Sequence, residues 1–134
     1  RKISIYLLYK YLFTYMLMST ILENIAVWKR AVILAKTVRK ICNNNPSLVK
    51  DYGMKDQIQR AATSIASNIA EGNDRETNKE FIRYLVIARG SCSELKTQIL
   101  IVEDDLDEKL YSILINEIIE IHKMLNGFIK AIKV

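Results

Sequence analysis

The chain has 134 residues, half of them apolar, with only 4 glycines and 1 proline. This length corresponds to one domain; so few turn residues exclude a β-sandwich, and the apolar content excludes a disordered chain. The net charge of +5 favours an acidic partner, and residues 1–60 carry 11 Lys and Arg against 3 Asp and Glu. We therefore expect an all-α protein with a basic amino-terminal half.

The cysteine and histidine content bears on metal binding and on the cellular compartment. Cys42 and Cys92 lie 50 positions apart, and His122 is the only histidine. These residues give neither zinc-ligand spacing nor a disulfide framework. We therefore expect no metal, no cofactor and a cytoplasmic location.

The first seventeen residues, RKISIYLLYKYLFTYML, are apolar and contain four of the seven tyrosines. A basic start followed by an apolar stretch is typical of a signal peptide, but no small-residue cleavage site follows. A membrane span would place Lys10 near its centre, which costs about 3 kcal/mol. We favour a third alternative, in which the natural start is Met16 or Met18 and an over-long reading frame supplies the residues before it. Residues 1–17 are then an uncertain extension, residues 18–134 form the domain, and membrane association is not expected.

The first two predicted helices of the domain run from Asn24 to about Cys42 and from about Met54 to Glu71. Each has an apolar stripe at helical spacing. Gly72 is placed to end the second helix in a left-handed cap. Between the two helices, a segment with three asparagines and Pro46 predicts a connection. The first helix has a basic face opposite its apolar stripe, which consists of Lys29, Lys36 and Lys40, flanked by Arg30 and Arg39.

Two further helices follow. Asn73 or Asp74 is expected to cap the third helix, whose apolar stripe extends from Phe81 to Val102. The acidic run at residues 103–108 predicts a turn that places anions at the positive end of the fourth helix. The predicted core stripe of the fourth helix is Leu110, Leu114, Ile121, Leu125, Phe128 and Ile132. Short connections favour antiparallel neighbours, so we expect an up-down-up-down four-helix bundle.

Some residues exceed what a monomeric bundle requires. Gly90 lies in mid-helix away from the core stripe, where glycine costs about 1 kcal/mol relative to alanine. Ile115 and Ile119 form a second apolar stripe on the fourth helix. With Val86 and Ile101, these residues predict an interface between copies of the chain. The alternative is that they are scattered exposed isoleucines in an isoleucine-rich chain.

A carboxylate and a histidine on the fourth helix also need an interpretation. Glu117 falls within the predicted core stripe, where an unpaired carboxylate is costly, and Arg60 or Arg83 is the expected partner. His122 lies at the edge of that stripe, where a lone histidine is more often a structural hydrogen-bonding group than a catalytic base.

Three segments of the sequence carry a family resemblance. Residues 57–72, QIQRAATSIASNIAEG, together with KEFIRYL at 79–85 and GSCSELKTQ at 90–98, resemble the bacterial four-helix-bundle family encoded in intervening sequences of 23S ribosomal RNA genes. The resemblance covers about residues 23–132, and Ala66 departs from it, since the family often has proline there. It implies a homopentameric ring. A relative, the accessory protein of diversity-generating retroelements, works with a reverse transcriptase and nucleic acid.

No phosphate-binding Gly-rich loop and no nucleophile motif is found, so we expect neither enzymatic activity nor a small-molecule substrate. The polar residues and the glycine of the family motif are interpreted as structural: Ser64, Asn68, Glu71, Gly72 and Glu94. The favoured function is RNA or DNA binding, in which Lys29, Arg30, Lys36, Arg39 and Lys40 contact phosphates and a ring of copies strengthens the binding. The alternative is an assembly adaptor for a protein such as a polymerase or reverse transcriptase. A solvated helix face without a partner is the third interpretation.

Overall fold

The computed structural model describes residues 4–12, 22 and 24–133. The regular secondary structure of these residues is all helical, with no strand, which confirms the all-α prediction. The helices are α1 (residues 5–12), α2 (Ala26–Asn44), α3 (Pro46–Lys50), α4 (Tyr52–Asn73), α5 (Asn78–Ile101) and α6 (Glu108–Lys133), with a 3₁₀ turn at Glu103–Asp105.

The four long helices share one core. Helix α4 packs against α2 and α5, and α5 also packs against α6, whereas α2 and α6 touch less closely. The apolar stripes of α2, α4 and α5 are buried at their central positions, as predicted. In α6 the stripe is displaced, because Ile118 and Ile129 are buried while Leu110, Phe128 and Ile132 are only partly buried. The weaker contact between α2 and α6 leaves an open groove between them.

The connection between α2 and α4 contains a short helix that the sequence pattern did not predict. Asn45 caps α3, since its side-chain oxygen accepts hydrogen bonds from the backbone N–H groups of Ser47 and Leu48. Its Nδ2 donates to the carbonyl of Asp105 at 2.8 Å. Asn45 therefore also ties this connection to the turn before α6.

The predicted caps between α4 and α5 are wrong. Helix α4 continues through Gly72 to Asn73, and no described glycine has a positive φ. Gly72 is buried, and a Cβ atom built on it would lie 2.7 Å from Cβ of Tyr84 and 2.9 Å from Cδ1 of Phe81. The residue is thus required by the close approach of α5 to α4. The cap of α5 is Thr77, which accepts from the N–H of Glu80, in place of Asn73 or Asp74.

Replacing Gly72 with alanine should destabilise the protein by about 1–3 kcal/mol, because the added methyl group forces α4 and α5 apart. Gly127→Ala is the matched control, since Gly127 lies within α6 and has nothing within 4 Å of a built Cβ. That control should gain up to about 1 kcal/mol through helix propensity. Urea unfolding of the two variants measures both effects, and equal stabilities would contradict the close approach.

The amino-terminal segment contributes nothing to the core among its described residues. Residues 4–12 are all exposed, including Tyr6 at 77% and Tyr11 at 69%. The rest of the predicted extension, together with Met18, lies outside the described residues. Over the described ranges, no helix has both the length and the apolar character needed to cross a bilayer.

Candidate nucleic-acid interface

The three lysines of the predicted basic face lie on the outer side of α2. Lys29, Lys36 and Lys40 are exposed, while Val27, Leu34 and other residues of the opposite side are buried. Their spacing of seven and four residues places them along about 16 Å of one helix face. None of the three forms an ion pair with another described residue. Their positive charge is therefore available to a ligand.

Arg30 lies on the flank of α2 and contacts α6. Its guanidinium pairs with the Glu117 carboxylate, with Nε 3.3 Å from Oε2, and its Nη1 lies 3.7 Å from the Met124 sulfur. The hydrogen bond with Glu117 raises the pKa of Arg30. Because Glu117 faces α2, the predicted partners Arg60 and Arg83 are wrong. Arg30 thus enters the candidate interface with its charge already compensated.

Arg39 lies on the other flank of α2, toward α4. It is exposed and borders a shallow polar groove along the outer face of α4. Across the groove, Nε of Arg60 lies 2.8 Å from Oδ2 of Asp56. The cationic surface of α2 is therefore continued on α4 by an arginine that the site prediction did not include. In the sequence, Arg60 lies four residues after Asp56, and Arg39 lies at the edge of a helix face. Both therefore look like ordinary surface charges.

The polar residues of the family motif connect α4 to α5. The hydroxyls of Ser64 and Ser91 lie 2.8 Å apart, and Asn68 Nδ2 donates to the carbonyl and the hydroxyl of Ser64 at 2.8 and 2.9 Å. Ser91 is buried, so its pairing with Ser64 satisfies a hydroxyl inside the protein. These contacts agree with a structural interpretation of Ser64 and Asn68. Ser91 was not among the predicted site residues. Its position one helical turn after buried residues of the α5 apolar stripe could have indicated that it is buried.

The last turn of α4 is held by Arg75. Its Nη2 donates to Glu71 at 2.9 Å and to the Tyr84 hydroxyl at 2.6 Å, and the guanidinium lies 4.8 Å from the Tyr84 ring centroid. Glu71 thus helps to position the connection between α4 and α5. Glu94 is exposed and accepts a hydrogen bond from Gln98 at 3.3 Å.

The predicted interface residues fall into two groups. Val86, Gly90 and Ile101 are exposed on the outer face of α5, and a Cβ built on Gly90 would meet no atom within 4 Å. Ile115 and Ile119 are half-buried within the chain, and Ile115 packs against the core, so a second outward stripe on α6 is not observed. Ile119 lies beside Cys92 and Ser93 of α5, in agreement with the displaced core stripe of α6.

Two other isoleucines are exposed beside the groove between α2 and α6. Ile33 on α2 is 61% exposed and Ile113 on α6 is 53% exposed. Both line the α2–α6 groove, a cavity of about 600 Å³ whose walls also include Leu34, Thr37 and Leu114. Sequence periodicity missed this surface because it depends on how far α2 and α6 are separated.

Cys92 and His122 both border a small cavity between α5 and α6. Cys92 is buried, and burial raises the pKa of its thiol to about 12, so the thiol stays protonated at neutral pH. His122 borders the same small cavity between α5 and α6, and its Nδ1 lies 3.4 Å from Nδ2 of Asn126. Its position agrees with a hydrogen-bonding role.

Comparison with known proteins finds one family model and a solved structure that are similar to this chain. A family model described as 23S rRNA-intervening sequence protein matches residues 23–127. A similar solved structure is a protein of unknown function from the S23 ribosomal protein family of Bacteroides thetaiotaomicron VPI-5482. The two chains are 26% identical, the alignment covers 78% of this chain and 99% of the other, and the TM-score is 0.71. No curated protein matches this chain.

Proposed function

Because the chain belongs to the 23S rRNA-intervening sequence protein family, we propose that it is a non-enzymatic cytoplasmic protein that binds RNA and acts as a homo-oligomer. The observation that carries this proposal is the exposed row of Lys29, Lys36 and Lys40 on α2, without compensating carboxylates among the described residues. Three unpaired cations along about 16 Å match the spacing of several backbone phosphates.

The binding is directed at the nucleic-acid backbone and not at base sequence. Trp28 is partly buried and packs against the core, so it offers no free platform for a base. Among the described residues, Ile33 is the large apolar side chain of α2 that is well exposed. Base stacking requires exposed aromatic rings, and the α2 face provides none. Phosphate contacts therefore supply the affinity, and related RNAs and DNAs of different sequence should bind similarly.

In the proposed assembly, the four long helices form an antiparallel up-down-up-down bundle and the bundles join in a ring. The outer face of α5 is uncharged at Val86, Gly90, Ser93, Thr97 and Ile101, all of them exposed. Glycine and small polar residues let a neighbouring helix come close, and the absence of charge lowers the cost of burial. The family resemblance supplies the number of five copies.

In this assembly, the outer face of α5 contacts the α2–α6 groove of the neighbouring copy. This groove contains the exposed Ile33 and Ile113. Helix α5 contacts α4 and α6, so its outer face and the groove point to different sides of the chain. Two different patches that bind each other form a head-to-tail contact, and such contacts close into rings when the rotation between copies permits. This pairing replaces Ile115 and Ile119 in the proposed interface.

A protein-adaptor function is the second candidate, and the same exposed isoleucines favour it. A polymerase or reverse transcriptase that packs on Ile33 and Ile113 would be held mainly by apolar contact, which salt does not screen. Phosphate contacts behave differently, because each one releases a counterion from the nucleic acid.

Salt dependence therefore tests the proposed function. We expect the logarithm of the RNA association constant to fall linearly with the logarithm of salt concentration, with a slope of about −2 per protomer for three lysine contacts to single strands. Fluorescence anisotropy of a labelled oligouridylate, titrated at several salt concentrations, measures this slope. A slope near zero, or no binding at low salt, would contradict RNA binding and leave the adaptor function as the better proposal.

A further inference from the structure

The outer face of α4 contains a shallow polar groove that has no role in the function proposed above. Its volume is about 430 Å³, and it lies beside the basic face of α2. The residues that line it are Arg39 from α2 and Asp56, Gln59, Arg60, Thr63, Ser64 and Ser67 from α4. Six of its seven lining residues belong to one face of α4, so the groove is formed on a rigid element.

Three of the lining groups are hydrogen-bond donors without a partner among the described residues. Arg39 forms no ion pair with the described residues, and the hydroxyls of Thr63 and Ser67 form no hydrogen bonds with them. Gln59 differs from them, because its Nε2 is shielded from solvent and its side chain interacts with the Cys42 thiol. Guanidinium and hydroxyl donors together are groups that proteins use to hold a phosphate.

Arg60 is the cation of the groove that already has a partner among the described residues, and a phosphate can replace that partner. The side chains of Arg60 and Asp56 are 79% and 63% exposed, and they lie four residues apart on α4. Exposed pairs of this kind are weak, because water screens both charges. A phosphodiester shares its negative charge between two non-bridging oxygens, so it offers Arg60 the same two-point geometry as a carboxylate and can replace Asp56.

We propose that this groove binds a phosphodiester of the RNA backbone, with Arg39 and Arg60 as the cationic ligands and Asp56 as a carboxylate that competes for Arg60. The proposal rests on the proposed function, since the RNA would run from Lys36 and Lys40 on α2 across Arg39 onto α4. It makes a specific statement about Asp56. The carboxylate weakens RNA binding, both by repelling the backbone and by occupying Arg60.

The test compares two substitutions that each remove one charge from the pair, a negative charge at Asp56 and a positive charge at Arg60. Asp56→Asn should tighten binding of a labelled oligouridylate about three- to tenfold, because it removes a repulsive charge and frees Arg60. Arg60→Gln should weaken binding about tenfold and reduce the salt slope by about one. Thermal unfolding of each variant should match that of the original protein, because both side chains are exposed.

A matched pair at the other end of α4 provides the control. Glu71 and Arg75 have the same spacing of four residues and the same order of acid and arginine, with a distance of 2.9 Å. Neither lines the groove. Glu71→Gln should therefore leave oligouridylate binding within about twofold, although it removes the same charge as Asp56→Asn.

The outcomes separate this proposal from the function on which it rests. If the original protein binds oligouridylate but Asp56→Asn does not bind more tightly than Glu71→Gln, the groove is not a phosphate site, while RNA binding by α2 stands. If the original protein binds no RNA at low salt, both are overturned. Tighter binding by Asp56→Asn alone, with weaker binding by Arg60→Gln, supports the groove.

Discussion

Replacing Lys29, Lys36 and Lys40 together with glutamate should reduce RNA affinity at least about a hundredfold at physiological salt, because three phosphate contacts become three repulsions. The loss should be similar for RNAs of unrelated sequence, since the lysine face has no exposed aromatic ring that would read bases. All three side chains are exposed on α2, so helical content and melting temperature should change little. Anisotropy titrations with several labelled RNAs, alongside circular dichroism, measure both properties.

A charge-matched control separates a local site from the net charge of the protein. Lys79, Lys109 and Lys123 are also exposed, but they lie on α5 and α6. Their replacement by glutamate changes the net charge equally and should lower the affinity far less. If the two triple variants lost affinity equally, general electrostatic attraction would explain the binding. Full affinity in the α2 variant would place the site elsewhere and favour the protein-adaptor function.

The sequence predicted the elements whose determinants are local. The apolar stripe of α2 and its lysine face repeat at helical spacing over 19 residues, and one face was buried and the other exposed, as expected. Even so, the cap assigned to Gly72 was wrong. A glycine before a polar segment is typical of a helix end, and only the approach of Tyr84 and Phe81 shows that Gly72 is required by packing.

The features that sequence missed depend on which helix faces which. Glu117 pairs with Arg30 because α2 lies next to α6, and no spacing along the chain contains that information. Ile115 and Ile113 are two residues apart and both apolar, but the first packs on the core and the second is 53% exposed. These two residues point to nearly opposite sides of α6, about 160° apart, so which one is buried depends on how α6 is rotated about its axis. The candidate interface between copies could therefore be located only in three dimensions.

Copies of the chain should associate into a closed homo-oligomer, most simply a pentamer, and one substitution on either proposed surface should disrupt it. Ile113→Glu changes the α2–α6 groove, and Ile101→Glu changes the outer face of α5; both isoleucines are more than half exposed, at 53% and 65%. A charge buried between copies without a partner is strongly unfavourable, while the same charge on an isolated protomer is solvated. Light scattering coupled to gel filtration should therefore show a lower mass with unchanged helical content.

Two further variants decide whether these effects come from the proposed contact. Tyr52→Glu is the control, because Tyr52 is 78% exposed and lies on neither surface. The oligomer of this variant should have the same mass as that of the original protein. Gly90→Leu should dissociate the oligomer, although the open space around Gly90 lets an isolated protomer gain about 1 kcal/mol of helix stability. A leucine that lowers the assembled mass and also stabilises the protomer can act only through a neighbouring copy. A monomeric original protein at micromolar concentration, or an unchanged mass in both the Ile101 and Gly90 variants, would contradict assembly through α5.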